Sequence, residues 1–287
     1  MKKLVALAIL LCLLPLAGLG GQEYHLPLDL NLGGSLPNPA GFTAQGYEDE
    51  SISLSIETRD FEKNVRAYIV RVTVKSPTQL HTAIARKPND NWVARPLLMA
   101  KAKNAVFAIN GECYVQRTRD SFVYRQGQVI RNKPDPMKDV LVIDEQGDFH
   151  VFVSQEKDEE IHQYLASGGT IVNAFSFGPA LVIDGKVVTT REDYYFNPKE
   201  KLPRSVIAQT GPLSYMFVEI EGARGDCFTH QQMADFMGEL GVVTAYNLDG
   251  GQSSVMVFNN KFLDRNTSNT ERDQSDIIYV ASSIGGE

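Results

Sequence analysis

Basic charge, cysteine, clustered histidine and long apolar runs are all scarce in this 287-residue chain. Lys and Arg number 28 against 35 Asp and Glu, so the net charge is 28 − 35 = −7. That balance argues against a dedicated nucleic-acid binder, which carries a basic face, but leaves room for a local basic pocket around a phosphate. Three cysteines, Cys12, Cys113 and Cys227, cannot build a disulfide framework. The five histidines (His25, His81, His150, His162 and His230) have no zinc-like spacing. The longest apolar run, Leu4 to Leu14, falls short of the roughly 20 residues that a membrane span needs. Sequence repeats and low-complexity tracts are missing too. What is present, 43% apolar and 22% charged residues, is the composition of a folded domain and excludes wholesale disorder or a coiled-coil rod.

Lys2 and Lys3, the apolar run after them and the small-residue exit around Gly18–Gly21 read as a secretory signal over residues 1–20. The chain is therefore expected to be secreted or held at the cell envelope, meeting a membrane only through an uncleaved signal. Cleavage near Gly20 would remove both lysines and leave 26 − 35 = −9. Cys113 and Cys227 would remain, either paired or as two buried thiols. Residues 21–50, rich in Gly, Pro and polar residues without a sustained period, read as a linker or irregular arm.

From residue 51 to 287 the pattern is that of one α+β domain, rich in strands, with mixed sheets and a few packed helices. Ile52, Leu54 and Ile56 alternate with polar residues, as do Tyr68, Val70, Val72 and Val74. Val140–Ile143 and His150–Val153 flank a turn sequence, and Asp184-Gly185 marks a tight hairpin. Helices are expected near 94–103 and 156–166. A third starts at Thr229, where Thr229 and Gln232 fit a capping box and Gly241 supplies the stop. His230 falls in the first turn of that helix, where positive charge is disfavoured, and no catalytic role is assigned to it.

Four segments depart from plain scaffold. An apolar strand ends in Asn110-Gly111-Glu112-Cys113-Tyr114, which is either a turn or a display of polar groups into a cleft. Phe175-Ser176-Phe177-Gly178-Pro179 frames a bend with aromatic rings suited to a sugar face, or to simple packing. Arg204 opens an apolar strand that closes with Gln209 and Thr210, and an arginine fork matches a phosphate as well as a surface carboxylate. Tyr246-Asn247-Leu248-Asp249-Gly250-Gly251-Gln252-Ser253 spends two glycines, an aspartate and a serine on one connection. Such glycines let backbone amides approach an anion closely.

As a set, these segments resemble the phosphodiester glycosidase family. Its Asn-Gly-Gly-aromatic strand end stands here as Asn110-Gly111-Glu112-Cys113-Tyr114. Its Pro-Arg-Thr-Ala-Ile-Gly segment stands as Pro203-Arg204-Ser205-Val206-Ile207-Ala208. Its Asn-Leu-Asp-Gly-Gly-Gly-Ser loop stands as Asn247-Leu248-Asp249-Gly250-Gly251-Gln252-Ser253. Glu112, Ser205, Ala208 and Gln252 depart from the pattern, so the role of Glu112 rests on its chemistry alone.

The resemblance implies hydrolysis of a sugar-1-phosphodiester, with a carbohydrate phosphodiester as partner. Arg204, the Gly250 and Gly251 amides and Ser253 are expected to grip the phosphate. Asp249 is expected at the anomeric carbon, with Glu112 as a second carboxylate. Asn110, Gly111, Asn247, Gln209 and Thr210 are expected to line the sugar site. A metal role stays open: Asp249, Asn247 and Glu112 would suit Ca²⁺ or Mg²⁺, although no dedicated calcium-loop spacing is present, and no other cofactor is expected. The alternative reading is a non-catalytic module that binds envelope glycans or sugar phosphates. A serine hydrolase is disfavoured because Ser253 lacks the Gly-x-Ser-x-Gly elbow.

Overall fold

The computed structural model describes residues 34–86, 92–112, 114, 121–153, 155–263 and 272–284. The signal expected over residues 1–20 lies outside them. Among the described residues, three antiparallel sheets meet around one core. The largest runs in the order Phe42–Thr43, Gly46–Glu48, Ile52–Asp60, Arg66–Val74, Ser214–Glu221, Arg204–Gly211, Thr244–Asn247, Ala180–Ile183, Lys186–Val187. A second sheet orders Phe149–Phe152, Val140–Ile143, Asn173–Phe175, Phe122–Arg125 and Gln128–Asn132. The third orders Lys261–Phe262, Met256–Phe258, Phe107–Asn110, Asp276–Val280 and Leu80–Ile84.

Strand periodicity decides what each sheet faces. Successive side chains point to opposite faces. Ile207 therefore joins the shared core, while Val206 and Ala208 pack under the helix His230–Glu239 with Met233, Phe236 and Met237. In the third sheet Phe107 and Ile109 enter the same shared core, while Ala108 turns to Met99 and Ala100 of the helix Pro96–Ala102. In the second, Leu141 and Ile143 face inward, while Val140 and Val142 meet Ile161 of the helix Lys157–Ala166. Each sheet thus carries one helix outside and gives its other face to the common core. The capping box at Thr229 forms as expected: Thr229 Oγ1 accepts from Gln232 N at 3.1 Å, and Gln232 Oε1 accepts from Thr229 N at 3.0 Å. The Asp184-Gly185 hairpin forms with both residues at positive φ, 50° and 72°.

Two expectations change. The sheets are antiparallel in every described pairing rather than mixed. Tight turns such as Asp184-Gly185 can join only antiparallel strands, and the strands paired across long connections, such as Arg66–Val74 with Ser214–Glu221, are antiparallel as well. Residues 34–50 are not a loose arm: Phe42–Thr43 and Gly46–Glu48 extend the edge of the large sheet, and Tyr47 is buried with its hydroxyl on Asp49 Oδ2 at 2.7 Å. Strands of two and three residues are too short to show a period, and Gly46 is needed because a Cβ there would strike the Leu54 carbonyl. Cys227 is a free, buried thiol; Cys113 lies outside the described residues. No helix among the described residues is long and apolar enough to cross a membrane.

Candidate active site

The strand ends that carry the unusual segments converge. Asn110 ends a strand of the third sheet, Phe175 one of the second, and Asn247 one of the first; Arg204 begins the strand beside Asn247. Two buried asparagines tie these ends together. Asn110 donates from Nδ2 to the Asp249 carbonyl at 2.7 Å and accepts the Val255 amide on Oδ1 at 3.2 Å. Asn247 donates from Nδ2 to the Gly178 carbonyl at 2.8 Å. Both therefore shape the loop and bend through their amides, and neither lines the cavity. Gly111 is also a packing residue, since a Cβ there would meet the Asp276 carboxylate.

A cavity of about 500 Å³ opens at this junction. Arg204, Asp249, Gly250 and Gly251 line it together with Phe177 and Phe196. The two rings stack on each other, 4.0 Å apart and 8° from parallel. Phe177 is held from behind by Tyr194, whose hydroxyl donates to the Phe177 carbonyl at 3.0 Å and accepts the Asp139 amide at 2.8 Å. Asp249 is 4% exposed. Gln252 sits in a short 3₁₀ turn, exposed at the cavity wall, so its place needs no glycine backbone.

Arg204 is 3% exposed and heavily committed. Its Nε donates to the Phe228 carbonyl at 3.0 Å, and Nη2 to the carbonyls of Asn197 and Glu200 at 3.1 and 2.7 Å. Its Nη1 lies 2.6 Å from His230 Nε2. Burial pushes the guanidinium down to about 10, although Cys227 and Glu200 nearby pull the other way. Two further arginines reach the cavity. Arg224 pairs with Glu200 at 2.5 Å, and Arg272 Nη1 donates to Ser253 Oγ at 3.3 Å.

Several expected ligands stand elsewhere. Gln209 accepts the Phe149 amide at 3.0 Å and donates to Asp148 at 2.7 Å, and Thr210 donates to the Ser214 carbonyl at 3.2 Å. They lie at the other end of the Arg204 strand, roughly 16–20 Å away at about 3.3 Å per residue, so they do not belong to this site. The Gly251 amide is spent on the Pro203 carbonyl at 2.9 Å rather than presented to an anion. Gly250 fits because a Cβ there would lie 2.5 Å from that carbonyl. Ser253 is fully buried and does not line the cavity; it supports Arg272.

Glu112 also lies behind the cavity. Its Oε1 accepts from Arg125 at 2.9 Å and its Oε2 accepts the Ser176 amide at 2.5 Å. Arg125 donates to Asp276 as well, at 2.7 and 2.9 Å. Burial raises Glu112 to about 7 although Arg125 pulls the other way, and Asp276 beside it adds to the rise. Among the described residues, no three His, Cys, Asp or Glu side chains form a group able to hold a metal ion. Sequence reasoning missed Arg125, Asp276, Arg224, Arg272 and the contact of His230 with Arg204. Only their charge in apolar or loop surroundings signalled them, and their partners lie far away in sequence.

Fold and site together define an α+β domain with three antiparallel sheets and an arginine- and aspartate-lined cavity at the strand ends. The family model for phosphodiester glycosidases matches residues 103–281, and the chain belongs to that family. A curated relative, the SPbeta prophage-derived uncharacterized protein YomE of Bacillus subtilis, is 27% identical over 194 residues. That match spans 64% of this chain but 29% of the relative. The catalytic domain of zebrafish N-acetylglucosamine-1-phosphodiester alpha-N-acetylglucosaminidase, auto-inhibited by its pro-peptide, superposes with a TM-score of 0.63 at 16% identity. It covers 84% of this chain and 87% of that domain. A hypothetical protein from Synechocystis gives 0.63 at 15% identity, covering 80% of this chain and 62% of that one. A Burkholderia pseudomallei protein described as a candidate exported protein gives 0.50 at 11% identity, over 76% of this chain and 74% of that one. At these identities the structures establish the fold.

Proposed function

We propose that the chain is an exported hydrolase that cleaves sugar-1-phosphodiesters between the anomeric carbon and the phosphate oxygen. The observation that carries this reading is Arg204. A buried charge normally has a counter-charge, because desolvation is costly without one. Arg204 lines the cavity and is held by three carbonyls and an imidazole; among the described residues no carboxylate forms an ion pair with it. An anion entering the cavity would complete it. Asp249, which lines the same cavity, supplies the carboxylate such a reaction needs.

The assignment follows from that geometry. Arg204 supplies positive potential at the phosphate, with Arg224 and Arg272, which also line the cavity, as further donors. The bond from anomeric carbon to phosphate oxygen breaks, and its electron pair leaves with the phosphomonoester. Asp249 acts at the carbon, as nucleophile or as the base that takes a proton from water. The Phe177–Phe196 wall offers an apolar face to the sugar. Export rests on the Lys2–Gly20 signal pattern. The name of the zebrafish relative makes N-acetylglucosamine the first sugar to offer. The test is to incubate the protein with a panel of sugar-1-phosphodiesters and identify products by mass. Free sugar with phosphomonoester supports the proposal. Saturable binding without product would favour a non-catalytic binding module instead.

A further inference from the structure

Within the functional reading above, one buried residue is left unused. His230 is the first residue of the helix that covers the large sheet, and its side chain is fully buried. Its Nε2 lies 2.6 Å from Arg204 Nη1. A guanidinium nitrogen can only donate, so Nε2 must accept and the proton must sit on Nδ1. That Nδ1 is buried with no hydrogen-bond partner. An orphaned buried N–H is unfavourable, so the tautomer is imposed by Arg204 and not by surroundings that suit Nδ1. The imidazole stays neutral: burial, and Arg204 beside it, push His230 down to about 2.

The neighbouring acid is arranged in keeping with this. Glu200 offers Arg204 its backbone carbonyl at 2.7 Å, while its carboxylate turns to Arg224 at 2.5 Å. A carboxylate on Arg204 would hold the guanidinium just as firmly but cancel its charge. We propose that His230 is a positioning residue that fixes Arg204 through a neutral acceptor, so that the guanidinium charge is reserved for an anion in the cavity. This rests on the phosphate reading of the cavity and adds which residue keeps that site electropositive.

The test is a charge series at one position, His230→Gln, His230→Glu and His230→Leu, read by calorimetric binding of inorganic phosphate at pH 7 and by melting temperature. His230→Gln keeps a neutral acceptor and should bind phosphate within about threefold of the wild type. His230→Glu should weaken phosphate at least about tenfold, the scale of neutralising one charged hydrogen bond, without a matching fall in melting temperature. A purely structural His230 would make binding follow melting temperature across the series. Phosphate binding by His230→Glu within threefold of the wild type would overturn the inference while leaving the cavity reading intact. Absence of phosphate binding by the wild type would overturn both. If His230→Glu does not fold, the imidazole ¹⁵N shifts of the wild-type protein decide. Protonation on Nδ1 alone supports the inference, and an Nε2-protonated or charged ring contradicts it.

Discussion

Arg204 has two tasks, and its removal should show both. Arg204→Ala deletes the positive charge at the cavity, and loss of one preorganised donor costs about 10²–10³ in rate. It also strips donors from the carbonyls of Asn197, Glu200 and Phe228. Each buried group left without a partner costs about 1–3 kcal/mol. Both kcat/KM and the denaturation midpoint should therefore fall. Arg204→Lys keeps a charge but cannot reach three carbonyls at once, so it should restore little of the midpoint. Sequence alone identified Arg204 as exceptional because it opens an apolar strand in an acidic chain. It could not show that the guanidinium is pinned by neutral groups, because those groups are backbone carbonyls and an imidazole 26 residues away.

At the scale of the element, the Asp249–Ser254 connection is held by contacts from every side. Asn110 clamps its carbonyl at Asp249, Pro203 takes the Gly251 amide, and Leu248 donates to the Ser205 carbonyl at 2.8 Å. Its two glycines differ in why they are needed. Gly251 has φ 63° and open space around its Cβ position, so Gly251→Ala should cost about 1–2 kcal/mol of left-handed backbone energy. Gly250 has no positive φ but faces the Pro203 carbonyl, so Gly250→Ala must push two chain segments apart. A cost of about 1–3 kcal/mol is expected, with a larger loss of activity than at Gly251. Urea midpoints and kcat/KM on the two variants check the ordering. Local chemistry made the helix cap at Thr229 and the Asp184-Gly185 turn legible, since each is written in adjacent residues. The strand Phe122–Arg125 was not legible, because it lies between two neighbours and is buried along its whole length, so it carries little alternation; Leu80–Ile84, at the edge of its sheet, has buried and half-buried residues in no regular alternation. Gln209 and Thr210 were misplaced for a related reason: a strand puts its two ends on opposite sides of the molecule.

Across the whole molecule, the buried Glu112–Arg125–Asp276 cluster joins the second and third sheets behind the cavity. It holds Ser176, next to the aromatic wall, through the Glu112 carboxylate. Arg125, Asp276 and the hydroxyls of Tyr114 and Tyr246 all interact with Glu112, so its proton is a property of the cluster. Its raised folded value means that the native state binds a proton more tightly than the unfolded chain does. Its contribution is therefore most favourable below about 4.5 and declines as pH rises through about 7. Melting curves of the wild type and Glu112→Gln should diverge over that window, with the wild type losing ground as pH increases. A difference that is flat from pH 4.5 to 7 would show that Glu112 titrates outside it. Fold class was readable from sequence because burial on strands is periodic. This cluster was not, because its three charges are brought together only when the sheets pack.

The most direct test of the account is the fate of the water oxygen during turnover. The protein and its Asp249→Asn variant would be incubated with N-acetylglucosamine-1-phosphodiester and the other members of the panel in H₂¹⁸O. The account predicts ¹⁸O in the released sugar and none in the phosphomonoester, with the rate falling by about 10²–10⁴ in the variant, the usual range for a positioned acid–base group. Label in the phosphate, with sugar-1-phosphate as product, would place cleavage at phosphorus and contradict the roles given to Asp249 and Arg204.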